Sequence, residues 1–122
     1  MPGPPGFGSV ASRARRSLFA GMVALALAAG CERKASLTPA DLAAGKDLFL
    51  SHCSGCHPGG GNVKYPAKSL DRLTLVANGI TSPDGIVRKM RHPDPGMTRF
   101  DRKTLRDIEA RRIAAYVWAT FK

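Results

Sequence analysis

Cysteine and histidine side chains able to do chemistry together stand in one short stretch, Cys53-Ser54-Gly55-Cys56-His57, and the 122 residues hold only one other cysteine, Cys31. Two thiols three residues apart, with an imidazole beside the second, admit four chemistries. They are a local disulfide, half of a zinc clamp, a redox dithiol, and attachment of a cofactor that the histidine then ligates. The compartment, the remaining ligand-type residues and the elements that carry the motif decide among them.

The compartment is read from the start of the chain. Arg13, Arg15 and Arg16 precede an unbroken run without charge or strongly polar residues from Leu18 to Ala29, and no acid occurs in the first 31 residues. A basic flank, a short apolar stretch and small residues at its end compose a secretory signal, whereas a spanning helix needs roughly 20 apolar residues. The exit of the signal has two readings. Ala28-Ala29-Gly30-Cys31 resembles a bacterial lipobox, which makes Cys31 a lipidated N-terminus; Ala26-Leu27-Ala28 instead fits the small-residue rule for simple cleavage and would leave Cys31 a bare thiol outside the cytoplasm. The expectation carried forward is a signal peptide over 1–30, a lipidated or free tether over 31–38, and one domain over 39–122, held in the bacterial periplasm at a membrane by a lipid on Cys31.

Residues 31–122 hold sixteen Lys and Arg against nine Asp and Glu, a net charge of +7. A domain of this size buries little apolar surface and is commonly helped by disulfides, metals or cofactors. The two remaining cysteines cannot form a disulfide framework, so the help has another source.

The elements around the motif read as helices. Thr38-Pro39 is a cap followed by proline at the first helical position, and the helix over Ala40 to Ser51, with Leu42, Gly45 and Phe49 on one face, runs directly into Cys53. Pro58-Gly59-Gly60-Gly61-Asn62 is loop. Leu70, Leu73, Val76 and Ala77 suggest a short helix stopped by Asn78-Gly79. Ser82-Pro83 opens another that runs through Arg91, and His92-Pro93-Asp94-Pro95-Gly96 ends it. Thr104-Leu105-Arg106-Asp107 reads as a capping-box variant, heading a last helix to about Phe121 with Leu105, Ile113, Tyr116, Val117 and Phe121 on its apolar face. No segment alternates as a strand does, so the fold class is all-α.

An all-α exported domain narrows the chemistry. A structural zinc site lacks its second pair of ligands, since His52 and His92 are scattered. A thioredoxin-like dithiol belongs at the end of a strand. C-x-x-C-H is the signature of covalent haem: thioethers form at Cys53 and Cys56, and His57 ligates the iron.

With these residues the chain resembles the class I cytochromes c, nearest the small soluble monohaem type that substitutes for plastocyanin in cyanobacteria and algae. The resemblance runs from about Asp41 to Phe121. Gly45-x-x-x-Phe49-x-x-x-Cys53 is similar to that family's first helix, the glycine-rich turn before Asn62-Val63 to its loop beyond the histidine, and Ile113-Ala114-Ala115-Tyr116-Val117 to its last helix. It implies the cytochrome c fold, four or five short helices around one covalently bound haem c, with Gly45 and Phe49 crossing the last helix at Ile113 and Tyr116. It further implies a methionine as sixth iron ligand between the middle and last helices. Met97, in Asp94-Pro95-Gly96-Met97-Thr98-Arg99-Phe100, resembles the family's ligand segment, with Thr98 where proline is usual; Met90 and His92 are the alternatives. His52 reads as a surface side chain and Met22 falls in the signal.

Iron closed on both sides implies outer-sphere transfer of single electrons by a carrier that is not an enzyme. Histidine–methionine ligation raises the potential, and the ring nitrogen of His57 not on iron should donate to a carbonyl between Gly59 and Pro66. Lys64, Lys68, Arg72, Arg88, Lys89, Arg91, Arg99, Arg102 and Lys103 read as solvated faces that steer the domain, a monomer, toward acidic partner proteins, membrane-bound oxidoreductases above all. Export leaves no role for nucleic acid. Two other functions stay open: a haem enzyme or gas sensor with a displaceable distal ligand, and a haem subunit fixed in a larger respiratory enzyme.

Overall fold

The first turn of helix α1, Pro39–His52, is built by Thr38 and Asp41, which cap each other: Thr38 Oγ1 accepts from Asp41 N (3.2 Å), and Thr38 N and Oγ1 donate to Asp41 Oδ2 (2.9 and 2.7 Å). These bonds, with Arg112 beside the carboxylate, hold Asp41 down at about 2. A depressed carboxylate adds stability above its unfolded value and loses it as pH falls, so this cap weakens only in strong acid. The computed structural model describes residues 1–3, 6 and 36–122. The expected signal segment and the lipidation site Cys31 fall almost wholly outside the described residues. Residues 36–122 lie in one compact unit.

After α1 come two 3-10 turns, Pro58–Gly60 and Pro66–Lys68, then α2 (Arg72–Ala77), α3 (Pro83–Arg91) and α4 (Asp107–Thr120). No strand occurs among the described residues. Each start has a local cause. Asp71 accepts from Thr74 N and Ser82 from Gly85 N, Pro83 opens α3, and Glu109 accepts from Arg106 N at the head of α4. Asn78 closes α2, with Gly79 beyond it at positive φ.

The core is made where α1 and α3 pack on α4, from Phe49, Ile86, Met90, Leu105, Ala110, Ile113, Ala114 and Val117, with Leu75 of α2 added. Phe49 meets the rings of Tyr116 and Phe121 at centroid distances of 5.5 and 5.4 Å. At the crossing of α1 and α4, Gly45 lies so near α4 that an added Cβ would stand 2.2 Å from the carbonyl oxygen of Arg112. The atoms nearest to that position are thus the backbone of Arg112, with Tyr116 Cβ beside them. Arg112 Nε pairs with Asp41 across the same crossing, at 2.7 Å.

Two sequence expectations are corrected here. In α2 the inward residue is Leu75 (4% exposed), while Leu73 is 81% exposed and Val76 is also exposed. Six residues make too short a helix for apolar spacing to fix its rotation. The last helix starts at Asp107 because Asp101 Oδ1 accepts from both Lys103 N and Thr104 N, committing those residues to a turn. Leu105 is fully buried in the connection before the helix.

Gly45→Ala puts two effects in opposition. Alanine favours a helix over glycine by about 1 kcal/mol, whereas forcing a methyl into closed packing costs about 1–3 kcal/mol. At 2.2 Å from a backbone oxygen the second effect prevails, and chemical denaturation should find Gly45→Ala less stable than its parent. Equal or greater stability would show that the crossing yields.

Candidate haem site

Cys53 caps α1, its N–H bonding to Phe49 O, and the chain makes one further turn in which Cys53 O accepts from Cys56 N (3.1 Å) and His57 N (2.8 Å). That turn holds Cys53, Cys56 and His57 close together at the end of α1. The glycines then reverse the chain: Gly59 and Gly60 have φ of 57° and 83°, which only glycine adopts without strain, and a Cβ on Gly60 would stand 2.5 Å from the ring of Phe121. Asn62 fastens the following loop. Its Oδ1 accepts from Lys64 N and Tyr65 N, and its Nδ2 donates to Lys68 O.

The loop brings Gly61 O to 2.8 Å from His57 Nδ1. A carbonyl only accepts, so Nδ1 carries the hydrogen and Nε2 keeps a free lone pair. This is the arrangement of a metal-binding histidine with its second bond in place. The acceptor lies within the Gly59–Pro66 segment expected from the sequence.

Cys53, Cys56 and His57 form part of the wall of a cavity of about 310 Å³, to which Met97 also contributes. The rest of the wall is mainly apolar, with Leu75, Ile86, Met90, Ile113 and Val117 among its members. His92 is absent from it and lines a separate hollow with Arg99, Arg102 and Lys103. Of the three distal candidates the cavity therefore retains Met97 and Met90. Met90 is almost fully buried on α3 and Met97 half-buried in the connection. His52 also lines the cavity, its ring edge-on to Phe100 at 6.1 Å.

Both thiols of the motif are free. Burial, and then the neighbouring Cys56, push the Cys53 thiol up to about 11. A redox dithiol needs the opposite shift, toward thiolate at neutral pH. Among the described residues no three His, Cys, Asp or Glu side chains converge to hold a metal ion unaided. An apolar cavity with two unpaired thiols, one imidazole presenting Nε2 and a thioether fits a flat apolar macrocycle with its own metal, and Cys53, Cys56, His57 and Met97 could hold it.

The basic residues divide into two groups. Arg72 lies over the ring of Trp118, 3.7 Å from its centroid, and donates to Trp118 O, while Arg91 is buried; both hold the fold and are not part of a solvated face. Lys64 and Lys68 stand over the ring of Tyr65 at the cavity wall. Asp94 binds Lys68 (3.3 Å) and Lys89 (3.1 Å), and these lysines hold its carboxyl below the usual carboxylate range. This three-charge bridge, which ties the loop after the histidine to the one bearing Met97, was not visible in the sequence.

The protein-family model that matches the chain, over residues 40–117, is described as cytochrome c oxidase, cbb3-type, subunit III. Cytochrome c6 of Cyanidioschyzon merolae is 41% identical over 83 residues, covering 68% of this chain and 78% of that protein. Cytochrome c6 of Thermosynechococcus vestitus is 40% identical over 86 residues, 67% of this chain and 76% of that one. Among solved structures, OmcF, outer membrane cytochrome F of Geobacter sulfurreducens, aligns with a TM-score of 0.63 at 41% identity, covering 64% of this chain and 99% of that one. Cytochrome c6 of the diatom Phaeodactylum tricornutum aligns at 0.60 and 33% identity, with 65% and 92% covered. Helices, histidine geometry and similarity agree over the same residues: the chain belongs to the class I cytochromes c, as a monohaem electron carrier of the cytochrome c6-like kind.

Proposed function

We propose that the protein is an exported carrier of single electrons whose one haem c is joined to Cys53 and Cys56 and ligated by His57 Nε2 and Met97. The observation that carries this reading is the His57 Nδ1–Gly61 O bond, which leaves Nε2 free beside two unpaired thiols in a cavity that Met97 also lines. When bound, haem c supplies a reversible one-electron couple. The chain's residues tune it and protect it. Cys53 and Cys56 would hold the group by their sulfurs and would take no part in its redox change. His57 and Met97 would both hold its metal and would leave no place there for a substrate. Leu75, Ile86, Ile113 and Val117 exclude water and disfavour the extra positive charge of the oxidised state, which raises the potential. Lys64, Lys68 and Lys89 in the wall, one carboxylate between two of them, favour approach by an acidic partner, a membrane-bound oxidoreductase foremost.

Attachment at a membrane through a lipid on Cys31 is supported by the basic and apolar leader, and by the outer-membrane location in the name of OmcF. A second reading, a haem subunit fixed in a respiratory oxidase, draws on the printed description of the family model. The mobile carrier is preferred because the chain covers most of two relatives named as cytochromes in their own right, 78% of the cytochrome c6 of C. merolae and 99% of OmcF.

Carbon monoxide tests the ligand assignment. The reduced parent protein should stay closed to the gas, Met97→Ala should bind it, and Met90→Ala should stay closed while losing about 2–5 kcal/mol of stability to the cavity left behind. An open parent favours a gas-binding role, and an open Met90→Ala beside a closed Met97→Ala exchanges the two methionines.

Intact mass of the mature protein, with membrane fractionation and native electrophoresis of detergent extracts, tests the location. A lipidated N-terminus at Cys31 on a membrane-bound species migrating alone is expected. An unmodified soluble protein removes the anchor, and comigration with an oxidase gives the subunit reading precedence.

A further inference from the structure

Met97 stands in the connection between α3 and α4, residues 92–106, which contains no helix. Apart from the bonds of its end residues His92 and Arg106 to the flanking helices, few backbone bonds order it: Met97 N to Asp94 O (3.3 Å), Phe100 N to Met90 O (3.0 Å) and Leu105 N to Asp101 O (3.0 Å). Thr98 stands where proline would have restricted the chain directly after the methionine. A ligand on so loosely bonded a connection leaves the metal readily unless something else fixes it, because each unrestrained residue adds conformations to the detached state.

Before Met97 the connection is tied by Asp94 to Lys68 and Lys89; beyond Met97 the restraint comes from Arg91, the last residue of α3. It is 8% exposed and the only charged residue in the buried set of described residues. Its Nη1 donates to Phe100 O (2.9 Å), Asp101 O (3.0 Å) and Leu105 O (2.9 Å), and its Nη2 to Asp107 Oδ1 (2.8 Å). One planar group therefore gathers the connection on the far side of Met97 and fastens it to the first residue of α4. Asp107 also accepts from Arg102 Nε at 3.0 Å, so one carboxylate answers two guanidinium groups. The preceding residue, Met90, is in the cavity wall. A buried guanidinium is costly unless its donors are engaged; Nη1 and Nη2 are, while Nε is buried without a partner, and the flat fork of several fixed donors is a geometry that lysine cannot reproduce.

We propose that Arg91 is the positioning residue for Met97: by holding Phe100, Asp101 and Leu105 it keeps the thioether in the cavity, and it thereby sets how firmly the sixth ligand stays on the iron. The inference rests on the reading of Met97 as that ligand. Arg91 itself is not among the residues of the cavity wall. A role confined to general stability would instead lower the unfolding temperature and leave the iron's surroundings unchanged.

The test uses the full-length, haem-loaded protein with Arg91→Lys, Asp107→Asn and Met97→Ala, and with Thr38→Ala as a control that removes one cap bond at the start of α1. Four quantities are read: the sulfur-to-iron charge-transfer band of the oxidised form, carbon monoxide binding by the reduced form, the reduction potential, and thermal unfolding by circular dichroism. Losing a charge-assisted hydrogen bond or more should increase the methionine-detached population of Arg91→Lys at least about tenfold. That increase is read as a weaker band, faster carbon monoxide binding and a lower potential. Asp107→Asn keeps the three carbonyl bonds and should shift the same readings less, which preserves the test if Arg91→Lys fails to fold. Thr38→Ala should unfold earlier with all iron readings unchanged. Met97→Ala open to the gas beside arginine-site variants that keep the parent's band, gas kinetics and potential overturns the proposal alone. Met97→Ala with its band intact and closed to the gas overturns the ligand reading and the proposal with it.

Discussion

Everything at the haem site depends on how closely two helix backbones approach. Gly45 lets α1 settle against the carbonyl of Arg112, and each helix brings part of the site to that contact. The end of α1 delivers Cys53 and the turn to His57, while α4 contributes Ile113 and Val117 to the wall. Phe121, just past α4, closes on Gly60 and so supports the loop whose carbonyl orients the imidazole. Spreading the helices by the width of a methyl would disturb the thiol-bearing turn, the wall and the histidine's hydrogen bond together. Asp41 and Arg112 pin the same crossing from its rim.

Charge is divided according to burial. The cavity wall beyond the motif is mainly apolar, with Lys64, Lys68, Lys89 and Asp94 as its charged members, and buried cations elsewhere serve the fold. Arg72 against Trp118 and Arg91 among carbonyls show how a strongly basic protein can bury part of its charge without exposing a bare cation to apolar surroundings: their partners are an aromatic face, backbone oxygens and one carboxylate. What remains outside is still predominantly positive, and at physiological salt its reach is about 8 Å, so it orients partners only on close approach.

How much could be read in the sequence follows from how local each cause is. Thr38-Pro39 and Ser82-Pro83 start helices through bonds spanning three residues, and both starts were legible. So was the motif, whose thiols and imidazole share one turn, and the glycine-rich loop, whose carbonyl reaches back four residues to His57. The head of α4 was not, because Thr104 offers a plausible cap and only the competing bond from Asp101 removes it. The rotation of α2 was lost for want of length. The structural roles of Arg72 and Arg91 were invisible for a different reason: their acceptors are main-chain oxygens, which carry no residue-specific mark, and that of Arg72 lies 46 residues away. Met97, Met90 and His92 could be separated only when the folded connection set two of them in one wall and the third in another hollow.

The cavity wall is assembled from distant parts of the chain, from Phe49 to Val117. Synthesis runs from the amino end, so the two thiols emerge some sixty residues before the far wall exists. Until α4 docks, Cys53 and Cys56 lie on an open strip of chain; in the folded domain Cys56 stays exposed while Cys53 is half-buried, and that burial raises the Cys53 thiol to about 11. Time therefore enters the chemistry. A group attached during the open interval meets two accessible sulfurs and becomes a surface on which the last helix closes, whereas one arriving later finds Cys56 exposed and Cys53 partly covered.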